Sequence, residues 1–178
     1  GLINHFKIIA KATPLKQIIY NIPGRSIVDL SLDSFKELNK ISNIVAIKDA
    51  SNDISRPLLM RTFMKKDFNY LSGEDGTIAG FLAQGGHGCI TVAGNVAPKL
   101  TSELHKSWSQ KQWKKFDKIN LQLAPLSKVL FQEPNPTPTK YALSLMGFCT
   151  EEVRAPLIAL SAKTKKDIKK VLKVLKYI

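Results

Sequence analysis

Four short apolar runs alternate with helix-like segments through the first half of this chain, and that alternation restricts the fold more than any other feature. The runs are Gln17-Ile18-Ile19-Tyr20-Asn21-Ile22, Asn43-Ile44-Val45-Ala46-Ile47-Lys48, Phe68-Asn69-Tyr70-Leu71-Ser72 and Gly88-Cys89-Ile90-Thr91-Val92. Most are rich in Ile and Val, and polar or turn-forming residues follow each one, as expected of buried parallel strands. Residues 31–40, 51–65 and 77–84 between them read as helices; Ser31 or Asp33 caps the first and Gly85-Gly86 stops the last. An amphipathic helix over residues 2–13 comes before them, with Leu2, Phe6, Ile9 and Ala10 on one side and Pro14 closing it. The runs recur roughly every 20 to 26 residues, a rhythm that predicts a parallel sheet with right-handed crossovers.

After Pro98 the chain reads as helix over residues 98–112, 114–132, 137–146 and 163–177. Breaks are expected at Pro125, Pro134-Asn135-Pro136, Gly147 and Pro156. In the last segment Ile168, Val171, Leu172 and Leu175 form an apolar side, so it reads as a docked helix with a solvated basic face. The fold class is therefore α/β. Residues 1–97 form a partial β/α barrel, and residues 98–178 form its last helix and a helical subdomain. Four strands do not close a barrel, which takes about 250 residues. The expectation is that the remaining strands belong to another chain, that the open edge packs on a copy, or that the chain is a truncated product. A doubly wound sheet also accommodates four parallel strands, but no Gly-rich phosphate fingerprint is present.

With 178 residues, 44% of them hydrophobic, the chain can bury a sizeable core. The net charge of +13 comes almost entirely from lysine; the arginines are Arg25, Arg56, Arg61 and Arg154. Nucleic-acid surfaces lean on arginine as well, so the Lys-, Asn- and Ile-rich composition reads as compositional bias and no nucleic-acid partner is expected. No apolar run is long enough to span a membrane. Cys89 and Cys149 form no C-x-x-C pair and read as reduced core thiols of a cytosolic protein. His5, His87 and His105 are scattered, so no metal is expected; His87 reads as shaping the turn before the fourth strand.

Lys48 sits at the C-terminal tip of its strand, the end at which β/α barrels keep their chemistry. An amine held there and desolvated loses its proton and attacks a carbonyl. Lowering a lysine pKa from about 10.4 to about 7.5 takes roughly 4 kcal/mol, within the range that burial supplies. Alternation puts Ala46 on the same face as Lys48, and Val45 and Ile47 toward the helices. Tyr20 ends the preceding run level with Lys48, and its phenol can shuttle protons. Arg25 follows the Pro23-Gly24 turn, where a guanidinium can clamp a carboxylate. Each residue also has a plain structural reading: a snorkelling lysine, a core tyrosine and an exposed loop arginine. Glu74 and Asp75 read either as a clamp for an ammonium group or, for Asp75, as a helix cap.

The segments Tyr20-Asn21-Ile22-Pro23-Gly24-Arg25-Ser26, Ile47-Lys48-Asp49-Ala50-Ser51, Leu71-Ser72-Gly73-Glu74-Asp75, Gly85-Gly86-His87-Gly88 and Glu133-Pro134-Asn135-Pro136-Thr137-Pro138-Thr139-Lys140 carry a resemblance. In order and spacing they resemble the 4-hydroxy-tetrahydrodipicolinate synthase (dihydrodipicolinate synthase) family, over its C-terminal three-fifths or so. The resemblance implies the C-terminal half of a TIM (β/α)8 barrel and a lyase of lysine and diaminopimelate biosynthesis in the cytoplasm. It implies that Lys48 forms an imine with pyruvate and that Tyr20 relays protons. Arg25 binds aspartate semialdehyde, Gly73 and the Ile90 carbonyl line the pocket, and Asn135 shapes its wall. No cofactor is implied, because the imine is the electron sink. The implied assembly is a homo-oligomer, a tetramer in the family. Ser26 replaces a usual Thr. The family's N-terminal half supplies a threonine pair, a tyrosine that crosses a subunit interface and most of an allosteric lysine site; none has a counterpart here, so this chain is expected to turn over weakly. The first motifs are shared with related pyruvate-dependent aldolases such as N-acetylneuraminate lyase. A non-catalytic half-barrel module is the alternative from another class.

Overall fold

The structure, a computed structural model, describes residues 1–178. The chain divides into two compact units, Gly1–Ile90 and Thr91–Ile178. The first unit contains α1 (Leu2–Ala12), β1 (Gln17–Asn21), α2 (Pro23–Ser26), α3 (Leu32–Leu38), β2 (Ile44–Asp49), α4 (Arg56–Met60) and β3 (Asn69–Ser72). A single 3-10 turn (Asp75–Thr77), α5 (Ile78–Ala83) and β4 (Gly88–Cys89) complete it. The strands form one parallel sheet in the order β1-β2-β3-β4.

One face of this sheet builds the core. Ile19, Ile47 and Tyr70 lie in register across three strands and pack with Phe35, Leu38, Met60 and Phe68 from the helical layer. Removing a side chain of this size from water contributes about 1.5–3 kcal/mol. Strict alternation sends Val45 toward the helices, but Ile44 takes that place and Val45 is only half-buried. The cause is a register shift between Gln17 and Ile18: Gln17 pairs with Ile44 and Ile18 with Ala46, so one residue of β2 is left out. In α1 the packed stripe is Ile3, Phe6 and Ala10, whereas the expected Leu2 and Ile9 are exposed.

Several boundaries differ from the sequence reading for local reasons. The helix expected over residues 51–65 is limited to α4. Before it, the Ser51 hydroxyl accepts from the Asp53 amide at 3.2 Å and the Asp53 carboxylate from the Ser55 amide at 3.0 Å. Short polar side chains thus compete with the helical ladder. Ser31, rather than Asp33, caps α3, accepting from the Ser34 amide. The fourth strand stops at Cys89, although the Ile90 amide adds one further ladder bond to the Ser72 carbonyl at 2.9 Å.

The second unit is helical: α6 (Ala93–Val96), α7 (Pro98–Ser109), α8 (Trp113–Leu130), α9 (Thr137–Leu145) and α10 (Ala162–Val174). Pro125 does not break α8. Pro125 and Leu121, the residue whose carbonyl it leaves without an amide partner, both lie on the exposed side of the helix. Packing of the buried Leu123, Leu126, Val129 and Leu130 carries the helix through. Helix α10 docks on α8 and α9 through Thr164, Ile168 and Leu172, and leaves Lys166, Lys169, Lys170 and Lys173 exposed. No helix is long and apolar enough to cross a membrane.

Glu133 joins the Pro-rich segment to the start of α10: its Oε1 accepts from the Ser161 hydroxyl at 2.7 Å and the Ser161 amide at 3.1 Å. The hydroxyls of Thr164 and Ser161 hold the Glu133 carboxyl below the usual carboxylate range. A depressed carboxyl pKa stabilises the fold above its unfolded value, about 4.3, and that contribution is lost as pH falls through the folded value. Thermal midpoints of wild type and Glu133→Gln, compared from pH 7 down to pH 3, are expected to converge below about pH 4. A gap that stays constant across that range contradicts this role.

Candidate active site

The register of the first two strands brings Tyr20 beside Lys48, and that of the next pair brings Lys48 beside Leu71. These residues lie on the sheet face opposite the helical core, as expected for Lys48 and Tyr20. The Lys48 Nζ lies 3.8 Å from the centroid of the Tyr20 ring. The contact is with the ring face and not the hydroxyl, and a ring face attracts an ammonium group. The expectation of a dry amine is also corrected: Lys48 is only half-buried and Tyr20 is 48% exposed. The reason is local. Ile18, at 49%, and Ile90, at 42%, are open to solvent as well, so little of the first unit covers this face.

Gly73 forms the wall beside the lysine stem. Its amide donates to the Asp49 carbonyl at 2.6 Å. A Cβ placed there meets Ala50 Cβ at 2.9 Å, Lys48 Cε at 3.1 Å and the Asp49 carbonyl at 3.2 Å. Only glycine leaves that space to the lysine. Ala46, buried, precedes Lys48 on the same face of the strand, a small residue where the stem begins.

Arg25 lies in α2, a single helical turn begun by Pro23, and not in an irregular loop. It is exposed and makes no ion pair. The turn ends at Ile27, a β-branched residue at φ 64° and 86% exposed. That backbone conformation is strained for a branched side chain. Asn135 belongs to the second unit, where its side chain donates to Thr139 Oγ1 at 2.7 Å at the start of α9.

The acidic pair is partly accounted for by local structure. Ser72 Oγ donates to the Glu74 carbonyl and accepts from the Glu74 amide, fixing the turn after β3. Burial and the neighbouring Asp75 push the Glu74 carboxyl above its ordinary value. His87 shapes the turn before β4: its Nδ1 accepts from the Tyr70 amide at 3.1 Å and its ring stacks on Tyr70. Cys149 is exposed and so is not a core thiol; Cys89 is half-buried, and burial pushes its thiol up to about 12. A thiol in that range is a poor nucleophile.

The sequence reading missed the polar cluster behind the strand tips. Asn21 and Asp49, the residues after Tyr20 and Lys48, are 3% and 5% exposed and bonded to each other at 2.9 Å. Arg56 lies behind them, 7% exposed. The available signal was a polar residue ending each of two neighbouring strands, Asn21 and Asp49, with an arginine, Arg56, opening the next helix.

Parallel strands alternating with helices, with an amine and a phenol at adjacent C-terminal tips, place the chain in the β/α-barrel class. The comparisons narrow this class. A profile of the dihydrodipicolinate synthetase family matches residues 1–175, and the chain belongs to that family. A 4-hydroxy-tetrahydrodipicolinate synthase of Bradyrhizobium diazoefficiens is 44% identical over 172 residues, covering 97% of this chain and 58% of that protein. The crystal structure of dihydrodipicolinate synthase from Aquifex aeolicus superposes with a TM-score of 0.96 at 35% identity, over 99% of this chain and 61% of the other. A dihydrodipicolinate synthase from Acinetobacter baumannii complexed with pyruvate gives 0.94 at 37% identity, over 100% and 61%. The chain thus spans about three-fifths of the relatives it matches. Its fold is the C-terminal half of a TIM barrel followed by a helical region.

Gly73→Ala is expected to destabilise the chain by about 1–3 kcal/mol through overpacking against Lys48 and Ala50. Gly76→Ala, which meets nothing within 4 Å, is the control. Urea midpoints measure both, and equal midpoints contradict the tight wall.

Proposed function

We propose that this chain carries the imine-forming centre of a 4-hydroxy-tetrahydrodipicolinate synthase, a lyase that condenses pyruvate with aspartate semialdehyde. The observation that carries the reading is the Lys48 amine on the Tyr20 ring at adjacent strand tips, in a chain of this family. In the proposed reaction the neutral Lys48 amine attacks the pyruvate ketone, and the carbinolamine loses water to give the protonated imine. The imine withdraws electrons, so the former methyl group loses a proton and the resulting enamine carbon attacks the aldehyde. The semialdehyde amine then displaces Lys48 as the ring closes, and the lysine is regenerated. No cofactor is needed.

Tyr20 relays protons in these steps, since its hydroxyl lies on the ring that already touches the amine. Arg25, exposed and unpaired, binds the semialdehyde carboxylate. Gly73 and the Ile90 carbonyl line the pocket beside the lysine. The working assembly is a homo-oligomer, a tetramer by resemblance to the family. The exposure of Tyr20 and Ile18 favours one qualification: the chain by itself forms the imine and turns over weakly, because water is not excluded from this face.

Incubation with pyruvate and borohydride, followed by peptide mass spectrometry, tests the reading. Reduction is expected to leave a carboxyethyl group on Lys48 and to spare exposed lysines such as Lys7 and Lys173. A folded chain without an adduct on Lys48, or with adducts spread evenly over the surface, contradicts it.

A further inference from the structure

The contact between Tyr20 and Lys48 has little cover on its own side of the sheet. The grip lies on the opposite face. Asn21 Nδ2 donates to Asp49 Oδ1 at 2.9 Å, and the Ala50 amide donates to the Asn21 carbonyl at 2.8 Å. The same Asn21 amide group donates to Asp29 Oδ1 at 2.7 Å, while its Oδ1 accepts from the Leu30 amide at 3.2 Å. One side chain thereby ties the tip of β1 to the tip of β2 and to the far end of the segment that carries Arg25.

Arg56 closes this arrangement. Its guanidinium grips Asp29 at two points, NH2 to Oδ2 at 2.7 Å and NH1 to Oδ1 at 3.1 Å. NH1 also donates to the Leu30 carbonyl at 2.8 Å. Nε makes no hydrogen bond but lies 3.5 Å from Asp49 Oδ2 and 3.9 Å from Asp53 Oδ2. Ser51 Oγ donates to the same Asp49 Oδ2 at 2.9 Å. A guanidinium taken so far out of water loses hydration that an apolar side chain of equal size does not lose, so core stability alone does not account for it. A two-point grip with fixed geometry is what an arginine adds.

We infer that Arg56 is a positioning residue: with the buried Asn21 and Asp49 and the more open Asp29 it forms a latch behind the sheet that sets the Tyr20 ring over the Lys48 amine. Arg56 touches neither residue. It acts through Asp49, next in sequence to Lys48, and through Asp29, bonded to the residue next to Tyr20. The catalytic meaning of the latch rests on the proposed imine chemistry; the geometric claim does not.

Competitive acylation of the full chain with a trace amine reagent tests the geometry without pyruvate. The rate at Lys48 is read by mass spectrometry relative to the exposed Lys7, Lys111 and Lys173 on the same molecules. Arg56→Met is expected to raise that ratio by up to about tenfold by freeing the amine from its contact with the ring. Arg56→Lys, which keeps the charge and loses the two-point grip, is expected to stay near Arg56→Met. Asp29→Asn, at the half-exposed edge of the cluster, is expected to fall between and remains informative if Arg56→Met does not fold. A ratio within about twofold of wild type, less than release of even a weak ring contact gives, in every variant that keeps the wild-type circular dichroism overturns the latch. If wild type fails to trap pyruvate while the ratio moves as described, the latch stands and the imine reading falls.

Discussion

The hydrogen bond from Asn21 to Asp49 joins two parallel strands at the point where their pairing ends. Beyond it both strands turn away, β1 into α2 and β2 into the turn before α4. Parallel strand tips have no hairpin to hold them together, so their relative height depends on side chains there. Because successive residues face opposite sides, fixing Asn21 and Asp49 behind the sheet fixes Tyr20 and Lys48 in front of it. The polar face and the face that pairs Tyr20 with Lys48 are therefore consequences of one register.

The latch also balances charge. Burial pushes the Asp49 carboxyl up, against the bonds from Asn21 and Ser51 and the charge of Arg56. Burial acts on Asp29 in the same sense, but bonds from Arg56 and Asn21 outweigh it and hold that carboxyl below its ordinary value. Asp29 therefore favours the folded state above its unfolded pKa and loses that contribution as pH falls through the folded value. Asp49 opposes it, since its folded form holds the proton more tightly. The two carboxylates share one guanidinium and respond to it differently because their depths differ. On the other face, glycine at position 73 and alanine at 46 keep space for the lysine stem.

The sequence specifies this architecture most clearly where periodicity and punctuation agree. Strands β1 to β3 and helices α3, α5, α7, α9 and α10 fall within a few residues of their expected spans, because each couples an apolar pattern to a Ser, Gly or Pro signal. Pro125 misled because a local rule was overridden by the packing of α8. The short α4 misled because Ser51 and Asp53 satisfy backbone amides before a helix can. At the site, alternation placed Tyr20 level with Lys48, but it could not tell ring face from hydroxyl. It also could not reveal Arg56, whose partners lie 27 residues away at Asp29 and on the β2 tip, a proximity that only the folded chain creates.

The central claim is that the Tyr20 ring covers the amine end of Lys48 in the folded chain. Proton NMR measures this through the ring current. The ε-methylene protons of Lys48 are predicted to resonate upfield of the other lysines in wild type and to return among them in Tyr20→Leu. Wild-type Lys48 ε-protons at the ordinary lysine position, in a folded chain, contradict the account.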